Sequence, residues 1–194
     1  MRLRPLACTL VFALLAGCAS VQPVLTLEAA ADPGSAYVAG LFTRMKSRGF
    51  AFVIRAVDGG AEYLMPLGED GALPSAVNDQ SVAIKLPPGK YVVTQWITYA
   101  TMTKEVMSRR PISNPVLGQA FVVQAGSVTH LGSYDVSQFI QYGYPTINTQ
   151  LKIQPRRAST VLVQEAFAAA YPKLAKQPFR CLLCTDTVGL GAAP

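Results

Sequence analysis

The stretch KYVVTQWITYATM, residues 90–102, most narrows what this chain can fold into. β-branched and aromatic residues fill it, and such residues suit a pleated, half-buried strand. Read with a period of two, Tyr91, Val93, Gln95, Ile97 and Tyr99 share one face. Val92, Thr94, Trp96 and Thr98 share the other. Immediately upstream, Pro87-Pro88-Gly89 ends the segment SVAIKL (81–86), because proline supplies no N–H to a strand ladder.

Similar segments recur between turn signals. AYVAGLFTR (36–44), FAFVIRAV (50–57) and AEYLMPL (61–67) come first. Asp58-Gly59-Gly60 between the last two reads as a hairpin turn, since these residues tolerate the positive φ that tight hairpins need. QAFVVQAGSVTHLGSYDV (119–136) divides into two strands around Ala125-Gly126, and TINTQLKIQ (146–154) alternates again. No helical stripe of three turns precedes residue 158. The expectation is a mainly β chain: an antiparallel β-sandwich with one C-terminal helix and a short disulfide-pinned tail. The helix falls in STVLVQEAFAAAYPKLAK (159–176), where Ser159 or Thr160 can cap its start. Val163, Phe167 and Ala170 form its apolar stripe, and Pro172 ends it near Tyr171.

LPPGKYVV, Leu86 to Val93, followed by FVVQAGSVTHLG, Phe121 to Gly132, resembles a pattern in small bacterial lipoproteins. Those proteins carry a transthyretin-like or carboxypeptidase-regulatory-like β-sandwich. The resemblance covers residues 36–157 and implies a fold and an address, not an activity.

The address also shows at the N-terminus. Arg2 and Arg4 precede an apolar run from Leu6 to Ala16. That run is shorter than the ~20 residues needed to cross a bilayer and reads as a signal peptide. It ends in Leu15-Ala16-Gly17-Cys18, which resembles the lipobox of bacterial lipoproteins, with the Cys18 thiolate taking the lipid. The expected parts are a signal peptide at 1–17, a lipidated Cys18 with a flexible tether over 18–35, a β-sandwich over 36–157, and a helix with CxxC tail over 158–194 packed on it. Ala19-Ser20 follows Cys18 in place of aspartate, which favours the outer membrane, periplasmic face. Removing Arg2 and Arg4 with the signal peptide brings the formal charge from +6 to +4. A mildly basic surface reads first as solvated charge, and otherwise as one that favours anionic headgroups or cell-wall polymers. No aromatic-interleaved basic motif points to nucleic acid.

CLLC, residues 181–184, has three readings. A zinc site needs four ligands, and the mature chain offers only His130 besides these thiols. A redox pair needs a cysteine at a helix N-terminus, yet TDTVGLGAAP follows without helical period. A structural Cys181–Cys184 disulfide, formed in an oxidising compartment, is the expectation.

Other chemistry finds little footing. Ser127 and His130, three apart on a strand, point to opposite faces and make a poor triad with Asp135. No phosphate-binding glycine loop, metal set or cofactor motif is legible, and no enzyme is expected. SQFIQYGYPTI (137–147) contains Phe139, Tyr142 and Tyr144 near Gly143 and Pro145, which read as core and turn residues or, alternatively, as exposed aromatics on a loop. Tyr142, Tyr144 and Trp96 are the candidates for ligand or partner contact. Two functional classes follow: a non-enzymatic interaction or assembly module of the cell envelope, bound to the membrane by its lipid and meeting envelope proteins, or a carbohydrate- or peptidoglycan-binding module. Periplasmic thiol redox is a third.

Overall fold

The computed structural model describes residues 21–45, 49–68, 77–142 and 147–186 of the 194-residue chain. Cys18, Tyr144 and the tail from 187 lie outside the described residues, as does the side chain of Tyr142. Ten strands and one helix follow in order: β1 (Ala36–Met45), β2 (Gly49–Ala56), β3 (Glu62–Pro66), β4 (Val77–Leu86), β5 (Gly89–Tyr99), β6 (Val106–Pro111), β7 (Phe121–Val123), β8 (Val128–Tyr142), β9 (Ile147–Arg156), α1 (Thr160–Ala170) and β10 (Phe179–Cys181).

They form two five-stranded sheets. The first runs β10-β8-β1-β4 with β9 also on β8; the second runs β3-β2-β5-β6 with β7 also on β5. Most pairs are antiparallel, but β1 and β10 each lie parallel to β8. The inner faces meet in one core that includes Val38, Phe42, Phe52, Ile54, Ile84, Val93 and Val136. Rings lock its centre: Phe42 stacks on Tyr134 at 5.7 Å, and Phe52 meets Tyr134 edge-on at 5.2 Å. The β2–β3 turn uses Gly59 (φ 93°) and Gly60 (φ 70°), as its Asp-Gly-Gly sequence requires.

Strict alternation fails in β5. Between the pairs Val53–Gln95 and Ile54–Val93 the register shifts, and Thr94 is the extra residue of a bulge. One added residue exchanges the faces of everything beyond it. Tyr91 and Val93 therefore face the core, while Ile97 and Tyr99 join Ala51, Val53 and Leu64 on the opposite side. Trp96 packs toward the core instead of opposing Tyr91 and Val93.

The helix covers the outer face of the first sheet. Ser159 caps it through its hydroxyl, which accepts from the Leu162 N–H at 3.2 Å, and it ends at Tyr171. Val163 and Phe167 are its buried residues, set against Leu41, Tyr37 and Ala39. After it, β10 brings the chain onto β8. The Cys181–Cys184 disulfide closes there with Cα atoms 5.7 Å apart, both cysteines buried.

The expected flexible tether is corrected by the segment from Val21 onward. The Gln22 N–H donates to the Leu64 carbonyl of β3, and the Leu25 N–H donates to the Ala83 carbonyl of β4, both at 2.9 Å. β3 and β4 are edge strands of the two sheets, so the segment straps one side of the sandwich. Glu28 pairs with Lys173 at 2.6 Å, and Asp32 with Lys85 at 2.6 Å. Hydrogen bonds from Lys85, the Ser35 hydroxyl and the Gly34 N–H hold the Asp32 carboxyl down to about 2. The segment lacks sequence period because backbone groups make its principal attachments.

Candidate functional site

On the side of the sandwich away from the strap, β6 and β9 are the outer strands. A cleft of about 180 Å³ opens near them. Its floor is Phe52 and Tyr134, and Trp96 forms one wall. Ile153 and Pro155 of β9 face it from the first sheet, with Ile112 and Leu117 from the segment after β6.

The bulge at Thr94 has a direct consequence here. It aims Trp96 inward, where the indole lies 6.0 Å from Phe50 at a 33° tilt. Trp96 is half-buried at the cleft, not an exposed platform. The segment after β6 is tied down at both ends: the Ile112 N–H donates to the Thr94 carbonyl at 3.2 Å, and the Val93 N–H donates to the Leu117 carbonyl at 3.3 Å. Between them Asn114 Oδ1 accepts from the N–H groups of Val116 and Leu117 at 2.9 and 3.2 Å. That local bonding is typical of an asparagine-led turn, and it makes the wall rigid.

Ser113 and Asn114 complete the lining, so the cleft is about as polar as apolar. The Tyr134 hydroxyl donates inward to the Leu131 carbonyl at 2.6 Å, and burial pushes its pKa well above 10. It is no acid or base at neutral pH. Arg110 pairs directly across from Trp96 and is exposed, so a cation stands beside the aromatic wall. The cleft thus has an aromatic floor, a mixed lining, and Arg110 on the neighbouring strand. Among its lining residues no nucleophile–base pair occurs.

Of the three residues expected to make contacts, Trp96 lines this cleft; Tyr144 and the side chain of Tyr142 lie outside the described residues. Tyr142 is not on a loop: β8 runs through it and pairs it with Ile147. The long β8–β9 pairing makes residues 137–142 strand, which rules out the alternative of an exposed loop for them. Sequence reading missed Ile112, Leu117, Ile153 and Arg110, which come from separate segments and carry no shared motif.

The other candidates resolve as structure. His130 is fully buried and accepts from the Gly132 N–H through Nδ1 at 3.1 Å. Burial lowers its pKa to about 3, so the ring is neutral. The Ser127 hydroxyl donates to the Gln124 carbonyl instead, and Asp135 lies 4.0 Å from Arg156. Neither cysteine of CLLC begins a helix: Cys181 ends β10. Asp186, just beyond, accepts from the Thr160 N–H at 2.8 Å and its hydroxyl at 2.9 Å, capping α1 from across the fold. Among the described residues no cluster of three metal-ligating side chains occurs, and no helix is long and apolar enough to cross a membrane.

No family model matches the chain, and no curated protein matches it. Among solved structures, a leucine-rich repeat protein from Bacteroides thetaiotaomicron VPI-5482 is similar over 53% of this chain, at 14% identity and a TM-score of 0.35. The chain spans 12% of that protein's length, and a likeness so slight carries no argument.

Proposed function

We propose that this chain is a lipid-anchored lipoprotein of the bacterial outer membrane, on its periplasmic face, and works as a non-enzymatic interaction module of the envelope. The lipobox Leu15-Ala16-Gly17-Cys18 supports the address. The cleft at Trp96 carries the reading of the activity. Small-molecule sites usually enclose about 300–1,000 Å³. A space of about 180 Å³ with an aromatic floor suits a single anchoring side chain from a protein partner. Arg110, across from Trp96 on β6, favours a partner segment with an acidic residue beside that anchor.

Carbohydrate binding is the second reading, favoured by the indole at the cleft wall, since aromatic faces stack on sugar rings. A photo-crosslinker placed at Ile112 in intact cells separates the two. A protein adduct that disappears in the Trp96→Ala variant supports the interaction module. A glycan adduct supports the sugar reading. Labelling no stronger than from a crosslinker at exposed Gln124 contradicts both.

A further inference from the structure

The strap has a consequence for where the domain stands, and it rests on the reading of Cys18 as the lipidated residue. Val21, the first described residue, bridges to Leu64 in parallel fashion. Only Ala19 and Ser20 separate Val21 from Cys18. Consecutive Cα atoms are 3.8 Å apart, so Cys18 lies at most about 11 Å from Val21. The headgroup layer on each side of a bilayer is itself roughly 5–7 Å deep. A domain on so short a leash has no room to stand off the membrane.

The surface around Val21 is suited to that position. A shallow groove of about 400 Å³ there is lined by Val21, Pro23, Val24, Pro66 and Lys104. Lys104 belongs to the β5–β6 turn, its ammonium 5.5 Å from the Tyr99 ring centroid. Two residues earlier Met102 is 82% exposed, the most exposed large apolar side chain among the described residues. A protruding methionine next to a lysine matches the apolar-then-anionic layering of a phospholipid surface. β6 then leads away from this turn for six residues, about 17 Å, to the segment that walls the Trp96 cleft.

We infer that the rim of Val21, Pro66, Met102 and Lys104 is a membrane-contact surface, held on the phospholipid headgroups by the docked strap. The cleft is thereby presented away from the bilayer.

The test uses the full-length lipidated protein, with acylation of Cys18 checked by intact mass. It is reconstituted into phosphatidylethanolamine–phosphatidylglycerol vesicles that contain headgroup-quencher lipids. A fluorophore is attached at Met102→Cys or, as the distant control, at Gln154→Cys on exposed β9. Loss of fluorescence at 102 and none at 154 is expected. A long Gly/Ser insert between Ser20 and Val21 should abolish the loss at 102. Equal signals at both sites in acylated protein would overturn the membrane-contact rim and leave the anchor standing. Quenching at 102 that survives the insert would overturn the short leash as its cause. Protein without acyl chains on Cys18 would overturn the anchor reading and this inference together.

Discussion

The N–H of Leu25 donates to the carbonyl of Ala83 at 2.9 Å, and the N–H of the same alanine donates to the Tyr171 hydroxyl at 3.1 Å. Ala83 sits on edge strand β4, whose unpaired groups would otherwise invite another strand. The N-terminal strap and the end of the helix thus close one side of the sandwich together. The opposite side keeps its cleft.

Hydrogen exchange reads this closure directly. The amides of Gln22 and Leu25 should exchange far more slowly than those of an open coil. Leu25→Pro deletes the donor and should lower stability by about 1 kcal/mol or more in urea unfolding, since the Ala83 carbonyl loses its partner. Exchange of both amides at coil rates would return the segment to a free tether.

Gly40 gives a sharper packing test. A Cβ there would run into the ring of Phe42, which Phe52 and Tyr134 hold in place. Gly40→Ala should cost about 1–3 kcal/mol by overpacking. Adding Phe42→Leu should recover part of that cost, because the smaller side chain vacates the space. Additive losses in the double variant would contradict the account of this contact.

These particulars show what the sequence makes visible. The β2–β3 hairpin was legible because Asp58-Gly59-Gly60 separates two alternating runs, and the helix because a cap, a stripe and Pro172 agree. β6 was not legible: Met107, Arg109 and Arg110 are exposed and leave it no apolar face to recognise. Nor was β10, a three-residue strand formed by parallel pairing to β8. The faces of β5 were misassigned beyond Thr94 because a bulge leaves no mark on a period of two. The cleft followed the same limit, since its walls come from β5, β9 and the segment after β6. Of these, only Trp96 stood out as a residue type.

His130 makes stability depend on pH. Its pKa is about 3 in the fold against an ordinary 6.5, so below 6.5 the unfolded chain binds the extra proton. The contribution is complete above pH 6.5 and is lost as pH falls toward 3, at about 1 kcal/mol per pH unit. Denaturant titrations from pH 7 to 4 should show this slope, and His130→Gln should flatten it. An unchanged slope in the variant would mean that other groups carry it.

The disulfide closes only a four-residue loop, so replacing Cys181 and Cys184 with Ala should cost about 2 kcal/mol and leave the β spectrum in circular dichroism intact. Asp186→Ala, which uncaps α1 from outside, should lower stability measurably. Both cysteines are tied in the bond, so alkylation after denaturation without reductant should modify neither. A substantial reduced fraction, or mixed disulfides trapped by Cys184→Ser, would bring the redox reading forward.

The proposed lipid anchor underlies both the address and the membrane-contact rim, and mass spectrometry of the protein extracted from envelopes tests it most directly. The account predicts a mature chain that begins at Cys18, carries acyl chains on that residue and retains the Cys181–Cys184 bond. A mature chain that begins elsewhere, or an unmodified Cys18, would contradict it.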